Sequence, residues 1–152
     1  GPNNAKLKNI YMKILSLLLL TIVLGTGCSS QKKADLTSTQ IEYSAMSRGY
    51  FKKIVVQNQT VSVTNGRDQQ PVESKIDNAK WNKIASEFSK INLDSLSALK
   101  APTEKRFYDG AAIGNLKITK DGKTYETPGF DNGFPPKEIE KLVNLLVDFS
   151  KE

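Results

Sequence analysis

Histidine is missing from the chain, and cysteine occurs once among its 152 residues. Without histidine the commonest general base and the commonest transition-metal ligand are gone. A single cysteine cannot close an internal disulfide. Neither phosphate-cradling glycine motif, GxxxxGK[ST] or GxGxxG, is present. "DNG" at 131–133 lacks the further ligands of a calcium loop. No metal and no cofactor is therefore expected. Hydrolysis by paired carboxylates or by a Ser–Lys pair stays open, but Ser, Lys and Asp are too frequent to single any out. Excess positive charge is also scarce. The formal net charge is +6, and three of the lysines lie within the first 27 residues. Setting those aside takes the 22 basic residues to 19 against 16 acidic ones, a net of +3. The remaining cations are scattered, often beside acids, as in "TEKRFYD" and "KEIEK". They read as solvated surface, and no nucleic-acid partner is expected.

What is present is 38% hydrophobic and 25% charged, an ordinary globular composition. The length suits one domain with extra segments. Met12 opens "MKILSLLLLTIVLGTGC". Lys13 supplies a positive start, Ile14 to Leu24 a short apolar run, and Gly25, Thr26 and Gly27 a small-residue stretch before Cys28. This is the anatomy of a secretory signal. The run falls short of the roughly 20 apolar residues that cross a bilayer.

Residues 12–28 resemble a bacterial lipoprotein signal peptide, whose lipobox ends in a small residue and Cys. The match departs from the commonest pattern at Gly25, where Leu is usual and Leu24 stands one step earlier. The resemblance implies a diacylglycerol on the Cys28 thiol, cleavage before Cys28 and acylation of the new amino group. A lipidated cysteine needs no disulfide partner. Each buried methylene contributes about 0.8 kcal/mol, so two or three chains hold the protein at the membrane. Residues 28–40, with "SSQKKADLTSTQ", read as a polar tether. Ser29 is not the Asp that favours inner-membrane retention in some two-membrane bacteria, so an outer-membrane destination is expected. Residues 1–11 read as an upstream segment, with Gly1-Pro2 resembling a protease-cleavage scar.

Residues 41–152 carry the periodic segments. "IEYSAMSRGYFKKIVVQNQTVSVTNG" is rich in strand formers and is broken by turn residues at 47–49, 57–59 and 65–66, which predicts two or three antiparallel strands. The glycosylation-like "NQT" at 58–60 reads as one of those turns. Asp77 is a candidate N-cap, with Trp81, Ile84, Ala85, Phe88 and Ile91 on one helical face ending near Asn92. A connection follows, with Pro102 barring further helix. Asp121-Gly122 between two β-rich runs predicts a hairpin. Pro136 suits the first turn of a last helix, whose apolar face is Ile139, Leu142, Val143, Leu146 and Phe149. The order is ββ(β)α–ββα. The fold expected is a two-layer α+β domain, an antiparallel sheet with two amphipathic helices on one face. About 110 residues suffice for one core.

Two stretches frame the second hairpin. "APTEKRFYDGAA" places Arg106, Tyr108 and Asp109 at its mouth, and "FDNGFPP" places Phe130 and Phe134 at its other end. Arg and Tyr are common interface anchors, so these five residues form a candidate recognition surface. The competing structural reading pairs Arg106 with Asp109, buries Tyr108 and uses Phe130 and Phe134 to staple the last helix. Arg48 in "SRGYF" has a similar choice between an anion and a turn.

From "IEYSAMSRGYFKKI" through "LKAPTEKRFYDGAAIGNLKI" to the last helix, the chain resembles small uncharacterised bacterial lipoproteins with a hairpin–helix–hairpin–helix domain. That resemblance implies no activity. A looser similarity to envelope inhibitor modules, a helix on an antiparallel sheet, is one of layout. The function expected is a lipid-anchored envelope binding module, non-catalytic, with a protein or envelope polymer as partner. An accessory subunit of an envelope complex, an inhibitor of a secreted hydrolase and a carboxylate or Ser–Lys hydrolase are the alternatives.

Overall fold

Three strand-forming runs open the described chain. They are β1 (Thr39–Ser47), β2 (Tyr50–Gln57) and β3 (Thr60–Thr64). The structure is a computed structural model that describes residues 36–151. Cys28, the signal segment 12–27 and residues 1–11 lie outside the described residues. The expected turns separate the three strands. Asn58 and Gln59 take positive φ of 52° and 59°, the two-residue turn whose twist matches its strands.

A fourth strand, β4 (Val72–Lys75), then pairs with β3. It lies beyond the two or three strands expected there. α1 (Asn78–Ser89) follows, then a 3-10 turn (Leu93–Ala98) and the short α2 (Lys105–Tyr108), so the expected helix-free connection is wrong: Pro102 does not bar a helix that starts three residues later. The second hairpin is β5 (Ile113–Lys120) and β6 (Lys123–Glu126), turned by Asp121 and Gly122 at φ 52° and 82°. β7 (Phe130–Asp131), a 3-10 turn (Lys137–Ile139) and α3 (Glu140–Phe149) complete the chain.

Every strand pairing is antiparallel, in the order β4-β3-β2-β1-β5-β6, with β7 also on β5. The class is thus α+β on a seven-stranded antiparallel sheet. The two hairpins meet along β1 and β5. Register fixes which face is buried, because directly opposed residues share a face. Ile41 stands between Val56 and Ile118, and Tyr43 between Ile54 and Leu116. Val56 in turn faces Val61. All of these are buried. Their neighbours one residue away, such as Glu42, Ser44, Lys53, Ser62 and Lys117, are half-exposed. Glu42 and Lys53 form an ion pair at 3.5 Å on that polar face.

The helices supply the rest of the core. The Asp77 carboxylate accepts from the Lys80 N–H at 2.7 Å, starting α1 where expected. Ile84, Ala85 and Phe88 are buried, while Trp81 and Ile91 pack at the margin. α1 stops at Ser89, short of the expected Asn92. Ile139, Leu142, Val143, Leu146 and Phe149 are all buried, as the spacing predicts. α3 lies beside β1 and β2, and α1 lies beside α3.

Gly114 sits on the buried face between Tyr43 and Phe130. A Cβ there would stand 2.7 Å from the Tyr43 hydroxyl oxygen and 2.9 Å from the Phe130 ring. Glycine lets those two large side chains occupy one layer. Leu36 and Thr39, within the stretch read as tether, are buried. The Ser38 hydroxyl donates to Asp121, tying the start of β1 to the β5–β6 turn.

Candidate recognition surface

A four-residue helix cannot sustain itself, because nucleation costs more than so few bonds return. α2 is held from 25 residues away. The Asp131 carboxylate accepts from the Thr103 hydroxyl at 2.5 Å, the Lys105 N–H at 2.6 Å and the Arg106 N–H at 2.9 Å. Arg106 Nη1 adds an ion pair at 3.2 Å and also donates to the Thr103 carbonyl at 3.0 Å. Asp131 has no exposed surface. Burial alone would push its carboxyl up. The hydrogen bonds from Thr103, Arg106 and Lys105 outweigh burial and hold it at about 2. Asp131 thus caps the start of α2 and pins it against β7.

The five candidate residues separate into buried and exposed ones. The Arg106 side chain is 13% exposed and committed to Asp131 rather than to Asp109. Phe130 is buried, with its ring centroid 6.1 Å from that of Tyr43. Tyr108, Asp109 and Phe134 are exposed. Tyr108 is 72% exposed, and so is its neighbour Phe107 at 71%. The sequence reading did not single out Phe107. Lys105 Nζ lies 4.2 Å from the Phe134 ring centroid, and the Arg106 guanidinium 4.4 Å from that of Phe107. Cations over ring faces restrict both partners.

Further apolar side chains gather at this end of the sheet. Ile113 stands opposite Asp131 on one side and Met46 on the other. Tyr50 stands opposite Ser47 in the adjoining β1–β2 turn. All three are exposed. Arg67 donates to the carbonyls of Ser47 and Arg48, bracing that turn. Among the described residues, every exposed large hydrophobic except Val72 belongs to this end. Such concentration makes this end the candidate interaction surface, which scattered single residues would not. An open cleft of about 570 Å³ adjoins it, lined by Phe134, Pro135, Pro136, Pro102 and Lys100.

The surface offers rings and cations. The two groups with strongly displaced pKa values, Asp131 and Tyr43, are sealed in the interior instead of lining the cleft. Among the described residues no group of three or more His, Cys, Asp or Glu is placed to hold a metal, and no helix is long and apolar enough to cross a membrane. No protein-family model, curated protein or solved structure matches the chain.

Proposed function

We propose that this chain is a non-catalytic binding module, anchored in a bacterial envelope by lipid on Cys28 and engaging a protein partner through the rings of α2. One observation carries the binding part: Phe107 and Tyr108 stand more than 70% exposed on a helix that a buried carboxylate clamps in place. Exposed rings on a rigid support make good anchors, because little side-chain freedom is lost on contact. The lipobox-like "LGTGC" and the polar stretch after it support the anchor. Ser29 supports the outer membrane. The buried sheet face and the contact of α3 with β1 and β2 support a two-layer arrangement with both helices on that face. An envelope polymer is the alternative ligand, and an inhibitor of a secreted hydrolase would use the same exposed rings of α2. The open β4 edge favours the accessory-subunit reading as the second choice.

Two expected results test the proposal. Cells fed a clickable palmitate analogue should label the parent chain, and Cys28→Ala should abolish both the label and membrane fractionation. Unchanged labelling would remove the anchor. For the surface, a photo-crosslinking phenylalanine analogue at position 107 should give a discrete adduct in cells, whereas one at exposed Asp94 should not. Phe107→Ala with Tyr108→Ala should leave stability within about 0.5 kcal/mol and abolish adducts formed from position 134. Adducts equally abundant from positions 94 and 107 would withdraw the surface.

A further inference from the structure

β4 is an outermost strand of the sheet, and all four of its residues are exposed. Its hydrogen-bonding parity follows from one bond. The Ile76 N–H donates to the Gln59 carbonyl at 2.9 Å. Gln59 and Ile76 continue the β3–β4 register, in which Val61 faces Ser74 and Val63 faces Val72. Opposed pairs in an antiparallel ladder alternate between bonded and non-bonded. Ser74 and Val72 therefore bond inward to β3. Glu73 and Lys75 turn their N–H and C=O groups outward, to the open side. Such a row of groups is a template for another strand.

A short edge carrying charge discourages most strands. It suits a strand with the opposite charge order, and an antiparallel copy of β4 has that order. Placing Ser74 opposite Ser74 of the partner subunit puts Glu73 opposite Lys75 of the partner subunit, and Lys75 opposite Glu73 of the partner subunit. Those are also the residues whose backbone groups face outward, so the register that pairs the charges pairs the main chain. Slipping by one residue opposes outward groups to inward ones. Slipping by two puts Glu73 opposite Glu73 of the partner subunit, or Lys75 opposite Lys75 of the partner subunit. Val72, 68% exposed, would meanwhile gain a cross-strand neighbour.

We infer that the chain forms a two-fold dimer through β4, with the sheet running unbroken across both copies. Such an interface is isologous and self-limiting. It stands independently of the anchor and of the α2 surface.

Cysteine crosslinking of the full chain in mild detergent tests it. Cys28→Ala removes the native thiol, and Ser74→Cys places a new one on the two-fold axis. That position is a non-bonded antiparallel pair with Cα atoms about 4.5 Å apart, inside the range a disulfide spans. Mild oxidation should give a disulfide dimer as the main product. Adding Lys75→Glu, which opposes like charges twice, should reduce it about tenfold. Combining Glu73→Lys with Lys75→Glu should restore it. A cysteine at exposed Asn58 should stay largely monomeric. The dimer is overturned if Ser74→Cys crosslinks no better than Asn58→Cys. It is overturned equally if Lys75→Glu has no effect, or if the exchanged charges fail to rescue a variant whose circular dichroism shows it folded.

Discussion

An Asp131→Ala chain should melt roughly 10 °C below its parent at pH 7. The substitution removes the acceptor shared by the Thr103 hydroxyl, two backbone N–H groups and the Arg106 guanidinium. Those donors sit around a site with no solvent access. Removing one member of a buried pair strands the other, and that penalty exceeds the net worth of the pair. Asp131→Asn keeps the shape and one acceptor oxygen, so its loss should be smaller. The pH dependence has a definite sign. The carboxyl lies at about 2 in the folded chain against 3.8 in its absence. A depressed value means the folded state binds fewer protons in that window. The stabilisation is complete above pH 4 and is lost as pH falls toward 2. Melting curves of the parent and of Asp131→Asn should therefore converge across that interval. Parallel curves would show that Asp131 is not charged in the fold. Asp131→Ala should also release α2, and crosslinking from position 107 should fall with it.

Tyr43→Ala should cost about 3–5 kcal/mol in denaturant unfolding, the range for emptying a fully buried aromatic position. Tyr43 is wholly buried at the middle of β1, between Ile54 on β2 and Leu116 on β5. Phe130 lies against its ring, and its hydroxyl donates to Asn132 Oδ1 at 2.6 Å. Nothing near it can collapse to fill the space, since the strands on both sides are held in register. Tyr43→Phe separates ring from hydroxyl and should cost about 1 kcal/mol. Burial, with a smaller contribution from Tyr50, pushes the phenol well above its ordinary value. A raised value favours the neutral folded form, so stability is full below pH 10 and declines as pH rises beyond it. Tyr43→Phe should lack that decline. A loss under about 1 kcal/mol for Tyr43→Ala would contradict the packing of the whole inner face.

The parts legible in the sequence were those with a local cause. Ile139 to Phe149 repeat at helical spacing, and that repeat alone selects their buried face. Asp77 and Asp121-Gly122 act within a few residues of themselves, as cap and as turn. β4 has no such cause. "VESK" neither alternates nor buries anything, and it is a strand only because β3 lies beside it. The site failed differently. Sequence spacing offers Arg106 the nearby Asp109, but its counter-ion is Asp131, which the chain brings round through β5 and β6. Phe130 and Phe134 share one short stretch. Only the register of β7 on β5, with Phe130 opposite Gly114, sends the first inward. Phe107 carries no signal of its own, because Arg and Tyr are the common interface anchors and nothing local tells an exposed Phe from a buried one.

The place where the chain enters the sheet has a mechanical consequence. Ser38 holds that entry to the β5–β6 turn, and the rings of α2 lie at the other end of β1, roughly 25–30 Å away along nine residues. A pull between a membrane anchor ahead of Leu36 and a partner on Phe107 and Tyr108 would run lengthwise along β1. That strand is the one flanked by the two longest ladders, to β2 and β5. Its hydrogen bonds lie across the line of force, so they resist in shear and share the load at once. Loaded through β4 or β6 instead, the same sheet would peel one bond at a time. Under such a pull the first strand would be the tension member of the molecule.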